Sequence, residues 1–498
     1  MTLLDTLNEL RQYGGAIRTR GLDDATIERF ADNPELAEAV AAAAELHRGL
    51  RADFDALLRA DEAEQLQQVQ ADFVNFYAED AVNPYIALTA RGPWIVTLKG
   101  AVIHDSGGYG MLGFGHAPKP VLEAMARPQA MANIMTPNLS QLRLARALRA
   151  EIGHTRGGCP YAKFLCLNSG SESVTLAGRI ADVNTKLQIE GSGRHAGKQV
   201  RRIAVRGAFH GRTEHPALYS DSTRKTYAQH LASHQLREHE LIIIEPYSVE
   251  QLRQAFADAE THGWYIEAMF LEPVMGEGDP GRQVTPEFYA AARELTRAHD
   301  TLLLVDSIQA GLRAHGVLSI VDYPGFEGLE APDMETYSKA LNAGQYPLSV
   351  LAVTERAAAM YRKGVYGNTM TANPRALDVA IAVLEGLTPE LRRNIVAMGR
   401  QFLERLNRLK AELPGLITRV QGTGLLFSCE LSPQFKCFGT GSTEEYMREH
   451  GIGVIHGGAN SLRFTPTFNV SEAEAELVVA AVRDALLNGP RREQAAAA

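Results

Sequence analysis

Short apolar runs recur through the middle of the chain, at residues 164–167, 203–205, 241–244, 268–271, 301–305 and 348–353. Several do not alternate with polar residues, as expected of strands buried on both faces. Most are separated by stretches of helical composition. Strand and helix taking turns predicts an α/β body with a largely parallel sheet. Residues 1–80 differ, being rich in Ala, Leu, Glu and Arg, all good helix formers. Asn33 before Pro34 has the form of an N-cap followed by proline at the first helical position. Two or three helices are predicted there, as an extension of the main body. Residues 375–410 and 471–487 again predict helices, and the tail 491–498 is expected to fray.

Composition narrows the function classes. The chain has 498 residues with 50 Lys plus Arg against 59 Asp plus Glu, a formal net charge of −9. There is no basic excess to neutralise phosphates, so nucleic acid is not expected as a partner. Four cysteines without a C-x-x-C spacing give no disulfide framework and no metal-ligand pattern. The N-terminus lacks a long apolar run after a basic start, and no stretch reaches membrane-spanning length. A soluble cytoplasmic protein with no membrane partner is expected.

In open α/β sheets, ligands collect beyond the carboxyl ends of the strands, so polar residues after the apolar runs are the candidates. Gly108–Gly113 satisfies G-x-G-x-x-G, but His116-Ala117-Pro118 follows and no helix runs on from the glycines, so a nicotinamide cofactor is not expected. Asn168-Ser169-Gly170-Ser171 follows a run and opens an apolar-faced helix, which is a ready anion site. Asp306 ends the run 301–305 and, if desolvated, wants a positive partner. Lys339 lies between a short β-like run and a glycine-bearing turn. Taken singly, these residues have plainer explanations: an ordinary turn, an N-cap and a surface charge. Together with the aromatic Phe209 they are the parts that pyridoxal phosphate needs. Lysine gives a Schiff base, aspartate partners the ring nitrogen, and an aromatic ring covers the cofactor face.

The sequence resembles the class III aminotransferases of fold type I, the group of ornithine, acetylornithine, 4-aminobutyrate and lysine 6-aminotransferases. The resemblance runs from about residue 85 to 487. It is carried in order by LNSGSES at 167–173, AFHGRT at 208–213, EPVMGEG at 272–278, DSIQAG at 306–311, TYSKAL at 336–341, GNTMTANP at 367–374 and LRFTP at 462–466. It implies a large cofactor-binding domain over 146–375 and a smaller α+β domain built from 81–145 and 376–490. Lys339 would carry the pyridoxal 5'-phosphate Schiff base, Asp306 would pair with the ring nitrogen, and Gln309 would bind the phenolate oxygen. Gly170 and Ser171 would hold the phosphate and Phe209 would stack on the ring. Thr369 would reach the cofactor phosphate of a neighbouring subunit, implying a homodimer or larger assembly with shared sites. Arg463 would bind the α-carboxylate of glutamate or 2-oxoglutarate, Glu277 would pair with Arg463 in its absence, and Arg212 would take the other carboxylate. Tyr109 matches a pocket position that holds tyrosine in ornithine aminotransferases and an aliphatic residue in 4-aminobutyrate aminotransferases.

The implied reaction moves a terminal amine of a diamino acid or related amine to an oxo acid, 2-oxoglutarate or pyruvate, in two half-reactions at one site. An aminomutase or racemase on the same fold, or a silent cofactor-binding scaffold, are the alternatives. The chain departs from the family in three places. Ser307 replaces the glutamate usual after the aspartate, which removes a supporting group behind Asp306. Ala310 and Leu312-Arg313-Ala314 replace the family's small or Thr residue and Phe-Gly-Arg. Thr371-Ala372 replaces its Gly-Gly pair.

Overall fold

The computed structural model describes residues 2–77, 81–131 and 133–492, so part of the tail expected to fray, 493–498, lies outside the described residues. Two compact units emerge. The second, 119–396 with 422–426, is built on a seven-stranded sheet. Its strands are β1 (Lys163–Leu167), β2 (Gln199–Val205), β3 (Leu241–Ile244), β4 (Trp264–Leu271), β5 (Leu302–Asp306), β6 (Met334–Tyr337) and β7 (Ser349–Val353). They lie in the order β1-β7-β6-β5-β4-β2-β3. All neighbours are parallel except β7, which runs antiparallel to both β1 and β6.

Six of the seven strands coincide with the apolar runs of the sequence, because a strand covered on both faces needs apolar side chains on both. Every residue of β5, β6 and β7 is buried. The helix Gly170–Ile189 lays Val174, Leu176, Ala177 and Ile180 against Phe270 of β4, Leu304 of β5, Met334 of β6 and Leu351 of β7. The strand that breaks the pattern is β6, whose centre carries Glu335.

The first unit comprises the described residues of 1–118, 397–421 and 427–498. It holds strands Ala87–Arg91, Trp94–Thr97 and Val102–Asp105, the last paired in parallel with Ile452–Gly453. A second sheet includes Leu426–Leu431, Ser461–Phe464 and Ile455–Gly457. The N-terminal region forms four helices, Leu3–Arg11, Asp24–Arg29, Pro34–Arg59 and Glu62–Gln70, not two or three. The additional breaks are real helix starts: Asp23 caps one by accepting from Thr26 N, and Asp61 precedes another. Asn33 caps the long helix as expected, accepting from the N–H groups of Glu35 and Leu36. Pro34 is its first residue. The G-x-G-x-x-G stretch is turns and coil, and the next helix, Lys119–Ala126, starts only after it.

The extension is fastened by one buried cation. Lys99, 2% exposed in the turn between Trp94–Thr97 and Val102–Asp105, donates to the carbonyls of Gly14 (2.6 Å), Ala60 (2.6 Å) and Leu58 (3.2 Å). Burial pushes its ammonium down from the usual lysine range, and Glu62 opposes that shift. Glu62, itself buried, accepts from the N–H groups of Arg18 and Thr19. Lys99→Met should therefore cost roughly 2–4 kcal/mol, the scale of leaving buried carbonyls unsatisfied. Hydrogen exchange should show the loss first in Leu3–Arg11 and Pro34–Arg59. Unchanged protection in both helices would refute the fastening.

Candidate active site

The site grows from the carboxyl ends of the parallel strands. After β1 the chain turns through Asn168 and Ser169 into Gly170–Ile189, and Ser169 caps this helix by accepting from Glu172 N. Its opening residues Gly170 and Ser171 therefore present free N–H groups at the positive end of the helix dipole. A Cβ on Gly170 would lie 2.5 Å from Ile308 Cδ1, and one on Gly211 would lie 2.4 Å from Ser171 Oγ. Gly211 also has φ of +113°, a conformation that other residues resist. The glycines thus keep an anion cradle open and let the loop after β2 approach Ser171.

Asp306, the last residue of β5, is 3% exposed. Its Oδ2 lies 2.9 Å from His210 Nδ1, and its Oδ1 accepts from Ile308 N at 3.1 Å. A carboxylate beside it requires the proton on Nδ1. Lys339 follows β6 with φ of +47°, a left-handed conformation uncommon for a side-chain-bearing residue. Its Nζ donates to Gln309 Oε1. Gln309 Nε2 is buried without a hydrogen-bond partner, a donor aimed at an acceptor that the protein itself does not supply.

Glu272 is the first residue after β4. It accepts from Phe209 N at 3.1 Å and Gly276 N at 2.8 Å. Burial pushes its carboxyl up to about 7, and Asp306 adds to the rise while His210 opposes it. Phe209 is half-buried, with the Arg212 guanidinium 5.4 Å from its ring centroid. Glu277 is half-buried and Thr369 is exposed.

Several of the predicted residues are thus brought together: Gly170 meets Ile308, next to Asp306; Ser171 meets Gly211, next to His210; Phe209 leads into His210; Gln309 meets Lys339. The sequence singled out the stretches holding His210 and Glu272 without giving either a role, because contacts with other strand ends decide those roles. Asn368 went unnoticed. Its amide accepts from Asn168 Nδ2 (3.0 Å) and donates to Glu172 Oε1 (3.1 Å), tying the loop of Thr369 to the turn before Gly170. Tyr109 and Arg463 belong to the first unit. Tyr109 has φ of +47°, in a loop held where Asp105 Oδ1 accepts from Gly107 N and Gly108 N. The ring of Tyr77 lies 6.1 Å from its own. Arg463 sits in Ser461–Phe464 opposite Ser428, 7% exposed.

The fold agrees with comparisons to known proteins. The family model described as Aminotransferase class-III matches residues 76–486, so the chain belongs to the class III aminotransferases, which are pyridoxal-phosphate-dependent transaminases. The fold is that of an ornithine aminotransferase from Toxoplasma gondii ME49, at 23% identity and a TM-score of 0.73, covering 88% of this chain and 98% of that one. An N-acetylornithine aminotransferase from Stenotrophomonas maltophilia K279a is similar at 22% identity and a TM-score of 0.64, with 84% and 98% covered. A transaminase from the marine bacterium Virgibacillus is similar at 19% and 0.71, with 85% and 98% covered. The residues present fit the cofactor of this family. The open helix terminus suits its phosphate, the orphaned Gln309 Nε2 an oxygen acceptor, and the desolvated Asp306 a cationic ring nitrogen.

Asp306→Asn keeps the shape of the group and removes its charge. The variant should fold and lose roughly 3–4 kcal/mol of transition-state stabilisation, the scale of one preorganised electrostatic contact. Single-turnover rates with an amine donor check this: a rate within about threefold of the parent, under 1 kcal/mol, would exclude the role.

Proposed function

We propose that this aminotransferase moves the terminal amine of a diamino acid or related ω-amino compound to an oxo acid, 2-oxoglutarate foremost. The observation that carries the assignment of residues is the pairing of Lys339 with Gln309 beside the buried Asp306–His210 pair. When bound, pyridoxal phosphate supplies an aldehyde that captures amines and a protonated ring that accepts carbanion charge. Gly170 and Ser171 hold the phosphate at the helix terminus. Gln309 Nε2 donates to the phenolate oxygen. Asp306, oriented by His210, keeps the ring nitrogen protonated, and Phe209 covers the ring face. Lys339 Nζ would serve as the general base that takes the proton from the substrate carbon and as the general acid that delivers it to the cofactor's former aldehyde carbon. The matches at Arg463 and Arg212 favour an acceptor with two carboxylates. A donor panel with 2-oxoglutarate and pyruvate, read as glutamate or alanine formed, tests the reading, since a mutase or racemase needs no oxo acid. All four cysteines are unpaired thiols, which suits the cytoplasm.

We infer a homodimer with shared sites. Support comes from an apolar cavity of about 720 Å³ lined by Leu144, Phe164, Leu165, Tyr366 and Ala372, along the edge strand β1 and the loop of Thr369. Ile134, Met135 and Leu139 are more than half exposed in the same unit, and such patches mark interaction surfaces. Lys339→Ala should abolish turnover and Thr369→Ala should weaken cofactor affinity. Mixed protomers of the two variants should recover about one competent site per heterodimer. No recovery despite demonstrated subunit exchange would refute the shared site.

The donor class rests on Tyr109 and Glu277. A phenol can hydrogen-bond the polar far end of a diamino acid. Glu277, by resemblance the partner that neutralises Arg463, lets a donor enter amine-first without an α-carboxylate beside the reacting carbon. Tyr109→Ile should shift preference toward 4-aminobutyrate-like donors, and Glu277→Gln should slow the ω-amine half-reaction more than the glutamate half-reaction. Equal losses in both halves, or a parent inactive on every ω-amine, would refute this donor class.

A further inference from the structure

Ser307 departs from the family at the residue directly after Asp306, yet the turn it opens is not left unsupported. A buried carboxylate on the neighbouring strand reaches it. Glu335, at the centre of β6 and 0% exposed, accepts from Ser307 Oγ (2.6 Å) and from Ile320 N (2.9 Å) through Oε1. Its Oε2 accepts from Tyr161 OH (2.6 Å) and from Ser319 Oγ. Four donors converge on one side chain, and only an acceptor with about four lone-pair sites can serve them all.

The register fixes what this grip does. Val305 pairs with Glu335 and Asp306 with Thr336. Side chains alternate along a strand and match across it, so Glu335 and Asp306 point to opposite faces of the sheet. Ser307 N also donates to Thr336 O, and Gly311 N donates to Ser307 O, closing the turn that carries Gln309. The segment 306–309 therefore shows Asp306 and Gln309 to the site while it is held from behind through Ser307.

We propose that Glu335 is a positioning residue for this aminotransferase, setting through Ser307 the aim of Asp306 and Gln309 in the role the family gives to a glutamate at position 307. The inference rests on the assignment of Asp306 and Gln309 to the cofactor made above. Burial pushes the Glu335 carboxyl up while its four donors favour the ionised form. The charge lies behind the sheet and not in the site.

The test uses Ser307→Ala, which cuts only this link and leaves Glu335 its other three donors. Three quantities are read: the melting temperature of the apoprotein, the pH at which the visible absorbance of the bound cofactor titrates, and the kcat–KM split of the first half-reaction. A small misplacement of reacting groups costs up to about a hundredfold in rate. The expected result is a fall in kcat of about tenfold or more with KM little changed, a displaced absorbance titration, and a melting temperature close to the parent's. A lowered melting temperature with unmoved titration and kcat would overturn the proposal and leave Glu335 a purely structural role. Should Ser307→Ala fail to fold, the isosteric Glu335→Gln is read by the same criteria. A parent that binds pyridoxal phosphate without a visible band from Lys339 would instead overturn the underlying site assignment.

Discussion

A carboxylate buried at the end of a central strand is the constraint on which the second unit depends. Asp306 has lost nearly all its water, and a charge so placed needs compensating partners. The protein offers it His210 Nδ1 and one backbone N–H, short of what a charge at that depth requires. A cationic ring nitrogen would complete the set. The surrounding elements keep that deficit in place. β5 and β6 bring Asp306 and Lys339 to the carboxyl ends of neighbouring strands, the loop after β2 brings His210, and the glycines at 170 and 211 stop side chains from closing the space.

The same constraint explains what was legible in the sequence. Strands buried on both faces must be apolar, so six of seven were visible as apolar runs, and the polar residues just beyond them form the candidate site. β6 was harder to read because METY carries Glu335 where an apolar residue was expected. That glutamate is tolerated because four donors meet it, one of them Tyr161, 174 residues away in sequence. Nothing local in the sequence announces such a convergence. His210 and Asn368 were hidden for a like reason: their hydrogen bonds span long sequence separations. The helix count of the N-terminal extension was underestimated because propensity reports that a stretch is helical, not where a cap interrupts it.

The extension itself follows a different logic. Its buried aliphatic residues, such as Leu36 and Val40, pack by ordinary amphipathicity. Its attachment adds a polar clasp to apolar contacts such as Phe30 with Trp94. Lys99 collects carbonyls that the end of the long helix leaves without intrahelical partners. A methionine could fill the same volume but not satisfy those oxygens. The family model begins at residue 76, so Lys99 lies within the family body while Gly14, Leu58 and Ala60 lie outside it. One side chain of the family body is thus committed to a segment that the family model does not cover.

Charge economy around Asp306 completes the picture. A site meant to hold one protonated ring nitrogen gains from one nearby negative charge, but a second within the same low-dielectric space would repel the first. Glu272 is close enough to feel Asp306, and burial lifts it to about 7, so near neutrality it is ionised only in part. Lys339 Nζ donates to the neutral amide of Gln309. Glu335 is placed behind the sheet, its charge spread over four donors. Three carboxylates thus stand near one strand end, and the register turns Asp306 and Glu335 to opposite faces of the sheet. Moving the supporting glutamate from position 307 to 335 preserves that arrangement, because the face on which a charge lies matters more than the residue number that carries it.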